Sequence, residues 1–522
     1  SDPDRTRGRD ISATELLDRG RTQLDTALRS EPEIRADLLD VVGRIYTGLG
    51  RYAQADSLYA QSIKLSREIY GPTDTLVAQR LTRWSMPLLL QSQYARTEST
   101  LVQALAIEER KLGRNDQSVG ETLAWLANLK RIQGDFTTGE ALYRRALSIR
   151  WSAKPPDSLT ISIDLRHLCL LRWEAADFAA ADRACNQALA IQRKTLDPEH
   201  PEIIRTLRNL ALIRRSQGNF QEAERLGRQV LDKRRRLFPE GHPDVATAMF
   251  DLASTLDAAG KLAQAESLAT ESLAMRRKWI GPDRAETLLA LQTAGMLRWR
   301  MGNEKEGEAA VREAISGYER VFGPDHGTTL DGINSLGNIL AGQGRYAEAE
   351  PLIRHALAGR RKRFGNQHMA VASSLRALGF VLHRTGRYAD AELALTEALK
   401  IARAAKANPA GELHLLGSVI ADQNRPAEAE PLLREALAIR QEKYIPSDPR
   451  LAETRRVLAA CLTSLHRVGE AEALLKESYQ GVKENPYARK ERDETIRTLV
   501  AFYSAHGRER EAAPYRRLLA RR

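Results

Sequence analysis

The stretch Ile333–Ala356, INSLGNILAGQGRYAEAEPLIRHA, holds the pattern that decides the fold. Ahead of Gly344, the residues Ile333, Leu336, Gly337 and Leu340 recur at helical spacing, and after it Ala349, Ile353 and Ala356 do the same. Between them Gly344-Arg345-Tyr346 reads as a turn, because glycine supplies the left-handed backbone that ends a helix. Two antiparallel helices joined by so short a turn approach most closely beside it, so the residue five past the glycine, Ala349, must be small.

The same turn recurs along the chain. Gly50, Gly134 and Gly218 are 84 residues apart, and Gly260, Gly302, Gly344 and Gly386 follow at steps of 42. Ser92 and Ala176 fill the two long gaps in phase, and Asn424, His466 and Gly507 continue at steps of 38, 42 and 41. Five residues past each turn the side chain stays small, from Ala55, Thr97 and Gly139 to Ala429, Ala471 and Ala512. The register predicts twelve helical hairpins stacked in a row, an all-α solenoid.

Gly43, Tyr46, Gly50, Tyr52, Ala55 and Tyr59 sit at the spacings of the tetratricopeptide repeat, which the chain resembles over nearly its whole length. The 42-residue period is similar to the longer variant of kinesin light chains and many bacterial proteins, as are the linkers FGPDH (from Phe322), PEGHPDVA and DPEHPEII. The resemblance implies a right-handed superhelix. Departures are Gly227 and Arg516, where a larger apolar residue is usual, and a unit near Asn424 that is four residues short. Residues 1–30 are expected to be a linker and capping half-repeat, with Ser12 and Glu15 as a capping box. Residues 31–404 form the regular array and 405–522 its less regular continuation. The opening SDPDRTRGRDISATELLDRG resembles the segment joining bacterial Ser/Thr kinase domains to repeat regions, and a start at Ser1 predicts a piece of a longer or processed protein.

Composition agrees with a helical chain of 522 residues: 42% hydrophobic, 28% charged and only 6% aromatic. No apolar run approaches the ~20 residues of a membrane-spanning helix, so a soluble protein is expected, cytoplasmic by default, with the outer side of a membrane-anchored parent still open. Cys169, Cys185 and Cys461 are too few for a disulfide framework or a closed zinc site. They read as core fillers, although Cys169 and Cys185 share one hairpin and are near enough to oxidise. No phosphate-binding loop, dinucleotide fingerprint, HExxH or GxSxG element is present, so no catalytic residue, cofactor or metal is assigned. His200, His242, His326 and His368 recur in the linkers, but helices 8–10 Å apart keep neighbouring rungs from sharing a metal. Each stands just before a new first helix, where capping explains it.

First helices of such arrays line an inner groove. By analogy with the family, residues 13, 10, 6, 3 and 2 positions before each turn face it. This assigns Asn128, Arg131, Arg166, Trp173, Arg205, Arg208 and Arg215, against Glu121 and Glu174, in units three to five. Farther on it assigns Gln292, Trp299, Arg300, Asn334, Asn338, Arg376, Phe380, His383 and Arg384, against Asp331. The first unit offers Asp37 and Asp40 instead. With a net charge of +12, the expected partner is a protein or peptide with acidic segments, its carboxylates on arginine forks and an apolar anchor on an aromatic ring. The expected function is a non-catalytic interaction scaffold. Two alternatives stay open. One is nucleic-acid binding through cations at second-helix ends (Lys233-Arg234-Arg235-Arg236, Arg276-Arg277-Lys278, Arg360-Arg361-Lys362-Arg363), although these lack interleaved aromatics. The other is self-assembly through the last repeat.

Overall fold

The computed structural model describes residues 30–405 and 407–520. These form 24 helices and no strand, twelve antiparallel pairs, in two compact units that meet between residues 209 and 210, within the ninth helix. The expected capping half-repeat lies outside the described residues.

The first unit contains α1 (Pro32–Gly48), α2 (Tyr52–Tyr70), α3 (Thr75–Leu90), α4 (Tyr94–Lys111), α5 (Gln117–Ile132), α6 (Phe136–Ser152), α7 (Ser158–Glu174), α8 (Phe178–Thr195) and the start of α9 (Pro201–Ser216). The second continues with α10 (Phe220–Leu237), α11 (Pro243–Ala258), α12 (Leu262–Trp279), α13 (Ala285–Arg300), α14 (Glu304–Phe322), α15 (Gly327–Gly342) and α16 (Tyr346–Phe364). It ends with α17 (Met369–Arg384), α18 (Tyr388–Ala404), α19 (Ala410–Asp422), α20 (Pro426–Lys443), α21 (Pro449–Ser464), α22 (Val468–Val482), α23 (Arg489–Ala505) and α24 (Glu509–Ala520). The short unit loses its residues before and within α19, which has 13 residues where α17 and α21 have 16.

Every intra-pair turn uses the left-handed conformation, whether or not glycine is there. Gly344 has φ 80°, while Ser92, Ala176, Asn424 and His466 hold φ of 58°, 59°, 61° and 61° at the equivalent place. The turn closes with backbone bonds such as Arg345 N–H to Leu340 O at 2.9 Å. The predicted close approach beside it is also found: a Cβ on Gly307 would lie 2.7 Å from the carbonyl of Gly295. Ala55, Ala349 and Ala391 at the same height are fully buried.

The linker histidines are caps. Nδ1 of His200, His242, His326 and His368 accepts the backbone N–H two residues on, at 3.1 to 3.3 Å. Three of the rings also stack on the phenylalanine four residues earlier, as His242 does on Phe238 at 4.1 Å.

One contact within the second unit breaks the nearest-neighbour rule. The linker between α20 and α21 docks on the turns after α9 and α11. Lys443 Nζ donates to Gln217 O at 2.9 Å, and Tyr444 stacks on Phe220 with planes 8° apart. Arg450 covers Tyr444 at 3.7 Å from its ring centre and bonds Asp448, whose Oδ2 lies against Gly260. Burial favours a neutral Asp448, yet Arg450, with help from Arg300, holds its carboxyl below the ordinary value.

Candidate functional site: the inner face of the first helices

In both units successive first helices touch one another: α1, α3, α5 and α7 in the first, and α13, α15, α17, α19, α21 and α23 in the second. Among the described residues, successive second helices do not approach comparably. The crowded side is the inner face of each unit, formed by the helices expected to carry a ligand.

Most of the arginines assigned to this face are engaged within the chain. Arg131 pairs with Glu174 and with Asn128, Arg166 with Glu202 at 3.0 Å, and Arg205 with the same Glu202. Arg300 pairs with Asp257, and Arg376 with Glu412 at 3.2 Å. Arg384 donates to the Tyr346 hydroxyl at 3.1 Å, and His383 meets Asp422 at 2.7 Å. Trp173, Arg208 and Arg215 are half-buried and each engages a neighbour. Each carboxylate comes from another repeat or another turn of helix, so the expected basic surface is largely neutralised.

The amides and aromatics divide. Asn334 is only 4% exposed, with its Oδ1 accepting from Ser374 at 3.0 Å, and Gln292 is likewise buried, bonded to Ser335 and Tyr318. Both sit in the seam between repeats, because ten residues before the turn a helix faces its neighbour and not solvent. Asn338 is half-buried. Trp299 and Phe380 pack on the core with one side, and the Trp299 indole lies so close against Gly342 that a Cβ there would collide with it.

A hollow of about 590 Å³ opens in the first unit, lined chiefly by α5, α7 and the segment joining α6 to α7. Asn128 and Glu121, both placed on this face from the sequence, line it. So do Trp125, Arg150, Asp157, Asp164 and His167, which sequence reading missed. Arg150 Nε donates to Asp164 Oδ2 at 2.5 Å, and both side chains are almost wholly buried. Burial pushes the Asp164 carboxyl up to about 6 against the pull of Arg150, and the charge of Glu121 adds to the rise. Burial, with Arg166 next to it, pulls His167 down to about 3, so the imidazole is neutral.

Two further readings change. Cys169 and Cys185, expected as reduced core fillers, are fully buried but joined by a disulfide, since α7 and α8 bring their Cα atoms to 5.4 Å. Cys461 is free and buried. Among the second-helix cations, Arg276 and Arg360 are only 4% exposed and Arg234 9%. Arg360 donates to Ala370 O, Ser374 Oγ and Asp331 Oδ1 of neighbouring first helices. Arg235, Arg277 and Arg361 pair with Glu271, Glu313 and Glu397, one hairpin on. These cations bind repeat to repeat. Turn plus sixteen is the recurring slot, filled also by Arg150 and Arg440, and its period was the available signal.

No helix among the described residues is long and apolar enough to cross a membrane, and no group of three potential metal ligands gathers among them. Three family profiles, each described as tetratricopeptide repeat, match the chain. One covers residues 159–236, 330–404 and 411–484, another 35–75 and 287–327, and the third 208–278. No curated protein sequence matches it. Similar solved structures include BtubC (BKLC) from P. vanneervenii, at 22% identity and TM-score 0.40 over 44% of this chain and 92% of that one. Another is a Podosopora anserina protein of nearly identical TPR-like repeats, assigned to the kinesin light chains. It is 21% identical, with TM-score 0.35 over 40% of this chain and 98% of that one. With family profiles spanning more than half of its length and twelve helical pairs in register, the chain belongs to the tetratricopeptide repeat family.

Proposed function

We propose that this protein-interaction scaffold holds an extended segment of a partner protein along the inner faces of its first helices. The observation that carries the reading is the contact between successive first helices, which makes a continuous surface of half-buried amide, aromatic and guanidinium groups along α1 to α7 of the first unit and along α13 to α23 of the second. Nothing in that arrangement calls for catalysis. A preference for acidic segments is supported by the net charge of +12 and by guanidiniums that keep open edges: the Arg205 side chain is 51% exposed and that of Arg376 41%. A ligand carboxylate meets the solvent-facing edge of either guanidinium, while Glu202 and Glu412, whose side chains are only 9% and 8% exposed, keep the inner edge. The likeness of residues 1–20 to kinase-linked segments supports a place in a bacterial regulatory protein.

Selection of random peptides on the immobilised chain, followed by anisotropy titration of the enriched sequences, tests the reading. Enriched peptides should be rich in Asp and Glu. Arg205→Glu combined with Arg376→Glu should weaken them about tenfold. Enrichment no better than on an unrelated helical protein sinks the scaffold reading; enrichment without acidic bias, or affinity unmoved in the double variant, sinks the acidic preference.

A further inference from the structure

The hollow between α5 and α7 runs against the charge of the chain. In a protein of net charge +12, its lining carries three carboxylates, Glu121, Asp157 and Asp164, and one guanidinium, Arg150. Two of the three are committed. Asp157 caps α7 through the N–H of Thr160 at 3.2 Å, and Asp164 holds Arg150. Glu121 is exposed and has no hydrogen-bond or ion-pair partner among the described residues. Neutral His167 adds no positive charge. Beside the polar Gln117, Ser118, Asn128 and Thr160, the lining has an apolar strip that includes Trp125, Ala124 and Ile163, suited to the methylene stem of a long side chain beneath a charged head. At about 590 Å³ the hollow lies within the roughly 300–1,000 Å³ of small-ligand sites.

We propose that this hollow receives a basic side chain of the bound polypeptide, its cation answered by Glu121 and its stem lying on Trp125. The inference rests on the scaffold reading and adds to it a specific residue type: a partner segment carries, among its acidic residues, one arginine or lysine that sets its register in the first unit. The charge facing Asp164 supports this. Burial pushes its carboxyl up with help from Glu121 on α5, and together they outweigh the pull of Arg150 from α6 and of Arg166 on its own helix. A guest cation beside Glu121 relieves its repulsion of Asp164.

The test uses the full chain and N-acetyl-L-argininamide, with neutral N-acetyl-L-norleucinamide as control, in isothermal titration or ligand-observed NMR. Saturable binding of the arginine probe, at least tenfold tighter than the norleucine probe and weakened about tenfold by Glu121→Gln, is expected. Glu121 is exposed, so the variant leaves the fold intact, as its circular dichroism will show. Absence of saturable binding, equal binding of both probes, or an unchanged Glu121→Gln affinity overturns the inference. Peptide capture that survives alongside any of these results leaves the scaffold reading standing, while loss of capture as well removes both.

Discussion

Glu108 occupies, in α4, the turn-plus-sixteen slot that five other repeats fill with arginine. Its side chain is 1% exposed, and Oε2 has no hydrogen-bond partner. Burial raises its pKa from 4.5 to about 7, opposed by a bond to Thr122 and reinforced by the charges of Glu121 and Asp116. The folded-state pKa lies above that of the unfolded chain. The protonated form is therefore favoured by folding, and this share of stability is full below pH ~4.5 and lost as pH rises through about 7. At roughly 1.4 kcal/mol per tenfold change in proton affinity the elevation is worth about 3 kcal/mol, and screening by the hydrated surroundings trims it to about 2 kcal/mol. Glu108→Gln should therefore match wild type near pH 4.5 and exceed it by about 2 kcal/mol at pH 8. Urea titrations at pH 5, 6, 7 and 8, with hydrogen exchange of α4 and α5 peptides to localise the change, measure the difference. A difference that stays flat across this range, or a variant less stable at pH 8, refutes the reasoning.

Arg360→Met should destabilise its repeat by about 3 kcal/mol, because it strips buried charged hydrogen bonds. Arg361→Met, which loses an exposed pair with Glu397, should cost less than about 1 kcal/mol in the same denaturation assay. His368→Ala removes the cap of α17 and should cost about 1 kcal/mol, whereas His368→Asn restores most of it. Ala176→Gly should stabilise by about 1 kcal/mol, since φ 59° strains any residue with a Cβ; an unchanged melting curve counts against the turn assignment. Reducing Cys169–Cys185, 16 residues apart, should loosen α7 and α8 by about 3 kcal/mol, read as faster hydrogen exchange in dithiothreitol.

The fold was legible because each hairpin repeats a local decision. Ser92, Ala176, Asn424 and His466 read as turns because register alone places them there, and the small residues five positions later follow from the close approach of two helices. The histidine caps were legible for the same reason. The candidate site was legible only in part. Whether Arg131 stands free or meets Glu174 depends on the rotation between successive first helices, which decides which of many acids 40 or so residues away comes into reach. Asn334 faced the seam because a small difference in that rotation separates an inward from a lateral direction. Arg276 and Arg360 looked like ordinary cations at helix ends, since burial of a charge leaves no mark in composition. Trp125 and Asp164 share a hollow only through tertiary packing.

An array in which every hairpin touches only its neighbours can fray or melt piece by piece. The bond from Lys443 to Gln217 spans 226 residues, and with the Phe220–Tyr444 stack it ties the second unit's early turns to the α20–α21 linker. Everything between those points lies inside a closed loop, so no hairpin there can open widely without straining the tie. The zipper becomes a buckled belt: its middle repeats gain or lose order as a block, and a perturbation in one of them is felt five hairpins away.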